Sequence, residues 1–223
     1  ERAEVSSYYQ TSGTLEARRT AQIIAVQPGI ILSILEEEGT EVRKGQLLAR
    51  LDGRQLQLQA DRDALNVDNA RRELGRLESI ASQQAASAEE LDQQRYAVES
   101  ARATARVSRH QASQSVIRAP FAGTIVRRYL DIGNLAGASS PLLDLADLSA
   151  IELAMYIPER ESTGVSVGAP VTIQLLDETT FTAEIVRKAP VVDPRTGTVK
   201  FTASTREPPP GARPGAFVRA RIR

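Results

Sequence analysis

The chain has 223 residues, 41% hydrophobic but only 4% aromatic, and contains no Trp and no Cys. This permits a folded core, favours several small modules over one large one, and excludes disulfides, thiolate chemistry and cysteine-ligated metals. Its 28 basic and 28 acidic residues cancel, which removes the electrostatic footprint of a nucleic-acid binder; no apolar run reaches the roughly 18 residues that span a bilayer, and Glu1-Arg-Ala-Glu4 is not a signal peptide.

Residues Val5 to Gln22 read as an extended lead-in with a turn or bend at Gly13. A first segment follows: Ile24-Ala-Val-Gln-Pro-Gly-Ile-Ile31, Gly39-Thr-Glu-Val-Arg-Lys-Gly45 and Leu47-Leu-Ala-Arg-Leu-Asp52. A second segment resembles it: Ile117-Arg-Ala-Pro-Phe-Ala-Gly123-Thr-Ile125, Gly133-Asn-Leu-Ala-Gly137 and Leu142-Leu-Asp-Leu-Ala-Asp147. Sliding one onto the other pairs Ala25 with Ala119, Gly29 with Gly123, Ile31 with Ile125 and Gly39 with Gly133. One extra residue then brings Leu47 and Leu48 onto Leu142 and Leu143. The glycines stand between short β-rich runs, where tight turns need positive φ. Each half is too short to bury its own apolar face, so the halves are expected to pair as a split β-sandwich.

Pairing forces Asp52 to Val116 out as a loop with closely spaced ends, and its heptads close as an antiparallel helical hairpin. Leu56, Ala60, Val67, Ala70, Leu74, Leu77 and Ala81 mark one seam, with Asp63 out of place. Asp52 or Gly53 is the expected N-cap. The return seam is Leu91, Val98, Ala101, Ala105, Ser108 and Ala112, whose small residues allow close approach but bury little area. Ser87-Ala-Glu-Glu90 has capping-box spacing and starts the return helix. About 30 residues per helix would span roughly 45 Å. Nine arginines and nine acids on the hairpin read as interspersed, solvated charge.

Beyond Asp147 the pattern changes to alternating strands: Ile151–Ile157, Val171–Leu175, Phe181–Val186, Val199–Ala203 and Phe217–Ile222. Turn signals at Gly168-Ala-Pro170, Asp177-Glu178, Asp193–Gly197 and Pro208-Pro-Pro-Gly211 separate them, which predicts a small antiparallel barrel. Pro158 is placed at N1 of a single helical turn.

In this order and spacing, the pieces closely resemble the periplasmic adaptor subunits, or membrane fusion proteins, of bacterial tripartite efflux pumps of the resistance-nodulation-division type. The resemblance covers nearly the whole chain. Ala119–Ile125, Gly45–Asp52, Pro141–Leu148, Ile157-Pro-Glu159, Val192-Asp193 and Arg213-Pro-Gly215 carry it. It implies a mainly β fold with a long α-helical hairpin: a β-barrel domain (1–20 plus 148–223), a split lipoyl-like β-sandwich (21–52 plus 117–147) and an antiparallel coiled-coil hairpin inserted in it (53–116). The partners it implies are an outer-membrane channel protein at the hairpin tip, an inner-membrane transporter on the barrel side, and further copies of the chain in a ring, expected to be hexameric. Localisation would be periplasmic, with attachment to the inner membrane through an N-terminal anchor missing from this chain. The exported class would be drugs or other small toxic compounds.

The family's tip pattern, Arg, an apolar residue four later and Ser eleven after the Arg, falls on Arg76, Ile80 and Ser87. Without the resemblance these residues read as ordinary surface and cap; with it, they are the expected channel contacts. Two features depart from the family. Its further membrane-proximal domain, built from both chain ends, is expected to be trimmed or disordered, and Ala212 and Ala216 stand where larger apolar residues are common.

An adaptor of an ATP-driven export or secretion system is the nearest alternative. A lipoyl or biotin carrier is more distant, because the turn that would present the modified lysine holds Asp52 and Gly53, and the only lysines are Lys44, Lys188 and Lys200. One His and no Cys argue against an enzyme or a metal-handling site, so no cofactor or metal is expected. His110 reads as a solvated helix residue and Met155 as strand packing.

Overall fold

Apolar and polar residues alternate through most of Tyr9 to Ile24, and these residues form one strand, β1 (Tyr9–Ile24). The expected turn at Gly13 is absent. A Cβ at Gly13 would meet the carbonyl oxygen of Ala154 and Cδ1 of Leu153, each at 2.8 Å, so glycine serves close backbone approach within a strand. The computed structural model describes residues 9–81 and 87–222; Val5 to Tyr8 of the expected lead-in lie outside them. The chain divides into two compact units, one of residues 22–144, the other of the described residues up to Ala21 together with those from Leu145 onward.

The first unit holds the split sandwich. After β1 come β2 (Gly29–Ile34), β3 (Glu41–Val42) and β4 (Leu47–Leu51); the helices α1 (Arg54–Ala81) and α2 (Ala88–Ser113) intervene; then follow β5 (Val116–Arg118), β6 (Gly123–Arg128), β7 (Leu135–Ala136) and the start of β8 (Pro141–Pro158). One sheet runs β5-β4-β2-β7, and in the other β1 pairs with β8, β8 with β6 and β6 with β3. Each sheet therefore mixes strands of both halves, and neither half closes alone.

The hydrogen bonds repeat the same exchange twice. Gly39 N–H donates to Ile125 O at 2.8 Å while Gly133 N–H donates to Ile31 O at 2.8 Å; Gly45 N–H donates to Ala119 O at 2.8 Å while Ser139 N–H donates to Ala25 O at 2.8 Å. Gly39 and Gly133 have φ of 86° and 87°, the left-handed turn conformation that favours glycine.

One part of the expected register is corrected. Leu35 N–H donates to Leu48 O and Tyr129 N–H to Leu142 O, so Leu48 corresponds to Leu142 and no extra residue intervenes. Burial agrees, with Leu48 and Ala49 matched by Leu142 and Leu143. The identical Leu-Leu dipeptides pull a sequence alignment one residue off, and a one-residue slip would turn every side chain to the wrong face.

The second unit is the barrel. β1, β12 (Phe217–Ile222), β9 (Pro170–Gln174), β10 (Thr180–Asp193), β11 (Thr198–Thr205) and β8 pair in that order, and β8 pairs back to β1, closing six strands and leaving no free edge. Phe201, Leu153, Met155, Ile157 and Ile173 fill its core, so Met155 is strand packing. Ala212 is buried and Ala216 half-buried against that core, so both small side chains are fitted into it. Pro158 is the N-cap of the short helix α3 (Glu159–Ser162), one position before the expected N1, because its ψ of 140° is still extended.

Asp147 is 4% exposed and accepts from Arg19 (2.8 Å from Nη2) and from the Ser149 hydroxyl (2.6 Å). The Ser149 hydroxyl, with help from Arg19, outweighs burial and holds this carboxyl below the usual carboxylate range.

Candidate partner-binding hairpin

At the hairpin base Gly53 is the N-cap, its carbonyl accepting from Gln57 N–H, while Asp52 Oδ1 accepts from the Arg54 amide at 3.2 Å. Space at the neck is tight: a Cβ at Gly53 would lie 2.4 Å from Ser115 Oγ. Gln27 also donates to Gln114, the C-cap of α2, at 2.9 Å, tying the sandwich to the returning helix.

The seam follows the heptads, and Asp63 belongs to it. Asp63 is only 3% exposed, in register with the buried Ala60 and Val67, and faces the buried Ser108 of α2. Burial opposes its charge, but hydrogen bonds from Gln59, Arg62 and Ser108 prevail and hold the carboxyl below the ordinary range. Asp63 is therefore a polar seam position that sequence reading sets aside as a fault. The signal that could have found it is Ser108, a hydroxyl at a seam position of the partner helix.

At the far end, Arg76 is exposed and Ile80 half-buried, one turn apart on α1. Ser87 opens α2 with a complete capping box: Glu90 N–H donates to Ser87 Oγ at 3.2 Å and Ser87 N–H to Glu90 Oε2 at 2.8 Å. The residues joining α1 to α2 lie outside the described set. Arg76 is not an idle fork. Its guanidinium makes two hydrogen bonds to Glu73, Nε to Oε2 at 3.0 Å, which lowers the Glu73 carboxyl pKa. A partner's carboxylate would compete with Glu73; a partner's carbonyl would use the remaining donors.

Among the described residues no three His, Cys, Asp or Glu side chains gather as a metal site, and no helix is long and apolar enough to cross a membrane. His110 is exposed, its ring 3.1 Å from the Gln114 amide. Sequence reading also passes over four exposed apolar residues of the hairpin, Leu58, Leu65, Tyr96 and Val107, which are 58–77% exposed.

A family model described as a CzcB-like, barrel-sandwich hybrid domain matches residues 19–147. The protein called multidrug resistance protein MdtA in Cronobacter turicensis is 28% identical over 246 residues, covering 99% of this chain and 59% of that relative. The protein of the same name in Erwinia amylovora is 28% identical, with 100% and 60% covered. The chain thus spans less than two thirds of the length of these curated relatives. Among solved structures, a MacA-MexA chimera carrying the Pseudomonas aeruginosa MexA α-hairpin superposes with a TM-score of 0.89 at 21% identity, covering 100% of this chain and 83% of the other. The membrane fusion protein Spr0693 of Streptococcus pneumoniae R6 gives 0.75 at 20% identity, covering 96% and 98%. These two likenesses concern the fold, and they match its mainly β architecture with an α-hairpin.

Proposed function

Because the chain belongs to the CzcB-like barrel-sandwich hybrid family, we propose that it is the periplasmic adaptor of a tripartite efflux pump, a non-enzymatic link between an inner-membrane transporter and an outer-membrane channel. The observation that carries this reading is a two-helix hairpin, capped at its turn and inserted at the β4–β5 junction of a sandwich that is complete without it. Such an insertion adds reach and a recognition surface while adding nothing the sandwich needs to close. Arg76, Ile80 and Ser87 are the channel contacts in this reading. Arg76 offers a planar fork to carbonyls or carboxylates, Ile80 an apolar contact, and Ser87 a capped helix start.

The names of the relatives support multidrug export, and the hairpin with its tip pattern supports a transporter of the resistance-nodulation-division type. The full-length protein would be attached to the inner membrane, with copies of the chain assembling into a ring, six in the assembled pump. In cells that depend on the pump, Arg76→Asp should leave the protein folded, normally abundant and bound to the transporter, while channel crosslinking and export collapse. Export at the unmodified level would overturn the assignment of the tip.

A further inference from the structure

Four arginines of the hairpin stand three residues after an acid on their own helix: Arg71 after Asp68, Arg76 after Glu73, Arg95 after Asp92 and Arg102 after Glu99. This spacing sets the two side chains side by side on the helix surface, where such pairs are common and contribute little to stability. Arg76 is held differently from the other three. Arg71 Nη1 lies 4.0 Å from Asp68, and Arg95 and Arg102 each donate to their acid through one nitrogen, Nη1. Arg76 gives its acid two hydrogen bonds, Nε to Oε2 at 3.0 Å and Nη2 to Oε1. Two bonds fix the plane of a guanidinium as well as its position. It is so fixed although the Arg76 and Glu73 side chains are 60% and 45% exposed.

The fork uses one edge of the guanidinium and leaves the other. Of five N–H groups, three remain, two on Nη1 and one on Nη2. The pair as a whole carries no net charge. An uncharged carbonyl oxygen can therefore take the free edge without opposition, whereas a carboxylate would face the charge of Glu73 across the same group, and like charges so placed reject a partner.

We propose that Glu73 is a positioning residue of the hairpin tip, which holds Arg76 in one orientation and makes it select uncharged carbonyl oxygens over carboxylates on the channel. This rests on the reading of Arg76 as a channel contact, and it adds the residue that orders and tunes that contact. Ordering one flexible side chain before it binds is worth about two- to tenfold in affinity.

Channel capture would be measured in cells making the full-length protein with a photoreactive residue in place of Ile80, in four versions: otherwise unmodified, Glu73→Gln, Glu73→Asp and Glu99→Gln. Glutamine keeps the size of the side chain but offers one acceptor oxygen where the carboxylate offers two. Aspartate at this spacing still reaches its arginine, as Asp92 does Arg95 at 3.2 Å. Glu99→Gln removes a pair of the same spacing about three turns into α2. The expected result is capture lowered about two- to tenfold by Glu73→Gln, restored by Glu73→Asp and unchanged by Glu99→Gln, with equal abundance in cells and equal helix content by circular dichroism of the purified chains. Unchanged capture in Glu73→Gln would overturn the proposal, and so would increased capture, which would show that the channel presents a carboxylate for which Glu73 competes. A loss that Glu73→Asp does not restore, or that Glu99→Gln reproduces, would overturn it by tracing the effect to helix or general charge. Each of these results leaves the tip as the channel contact; absence of capture from the otherwise unmodified chain would overturn that reading and this proposal together.

Discussion

The sandwich and the hairpin bury their seams by different means. The sandwich halves fill matching positions with matching bulk, Ile31 with Ile125 and Leu48 with Leu142, all at 2% exposure or less. The hairpin seam is built from Ala60, Val67, Val98, Ala105 and Ala112 around the polar pair Asp63 and Ser108. Large aliphatic groups supply most of the stabilisation that burial can give, so the sandwich is the durable part. Small seam residues let the helices approach closely but leave their register weakly specified, and the buried carboxylate restores that specification.

The largest effect should come from breaking the matched bulk. Leu48→Ala and Leu142→Ala should each cost about 2–5 kcal/mol in urea unfolding, and by similar amounts, because they occupy equivalent positions. A neutral result at one of them would contradict the two-fold exchange. In the barrel, Gly13→Ala should cost about 1–3 kcal/mol, since the new methyl meets the Ala154 carbonyl and a closed barrel resists its displacement. Thermal unfolding reads this, and a stabilised variant would show that the strands can part.

Ser87→Ala should cost about 1 kcal/mol and speed amide exchange only in the first turn of α2, leaving the sandwich amides unchanged. The smallest effect concerns Asp63. Its folded carboxyl titrates below the ordinary value, so its contribution is full above the unfolded carboxylate range near pH 4 and is lost as pH falls through the lower folded value. Hairpin amide protection, taken relative to the intrinsic exchange rate at each pH, should therefore fall below about pH 4. Asp63→Leu should abolish that component without lowering stability at neutral pH, and should broaden the hairpin's NMR signals as register loosens.

What the sequence makes legible follows from how each feature is encoded. Paired glycines and alternating strands give the split sandwich, because left-handed turns and two-residue periodicity leave direct marks. The capping box at Ser87 is equally local. Register across the repeat is not local, and identical Leu-Leu dipeptides mislead where hydrogen bonds do not. Gly13 is read as a turn because close approach depends on Leu153 and Ala154, far along the chain. Asp63 looks misplaced until Ser108 is seen opposite it. Of the site, Arg76, Ile80 and Ser87 are visible as a pattern, but the bond from Arg76 to Glu73 appears only when the helix is given its faces.

The proposal that this chain joins two different membrane partners can be broken by photocrosslinking in cells from two positions of the full-length protein. One photoreactive residue would replace Ile80 near the hairpin tip; the other would replace Leu176, an exposed barrel residue. The expected result is an outer-membrane channel protein captured from position 80 and an inner-membrane transporter from position 176. Capture of one and the same partner from both positions, or no channel from position 80 in cells whose export is intact, would contradict the claim.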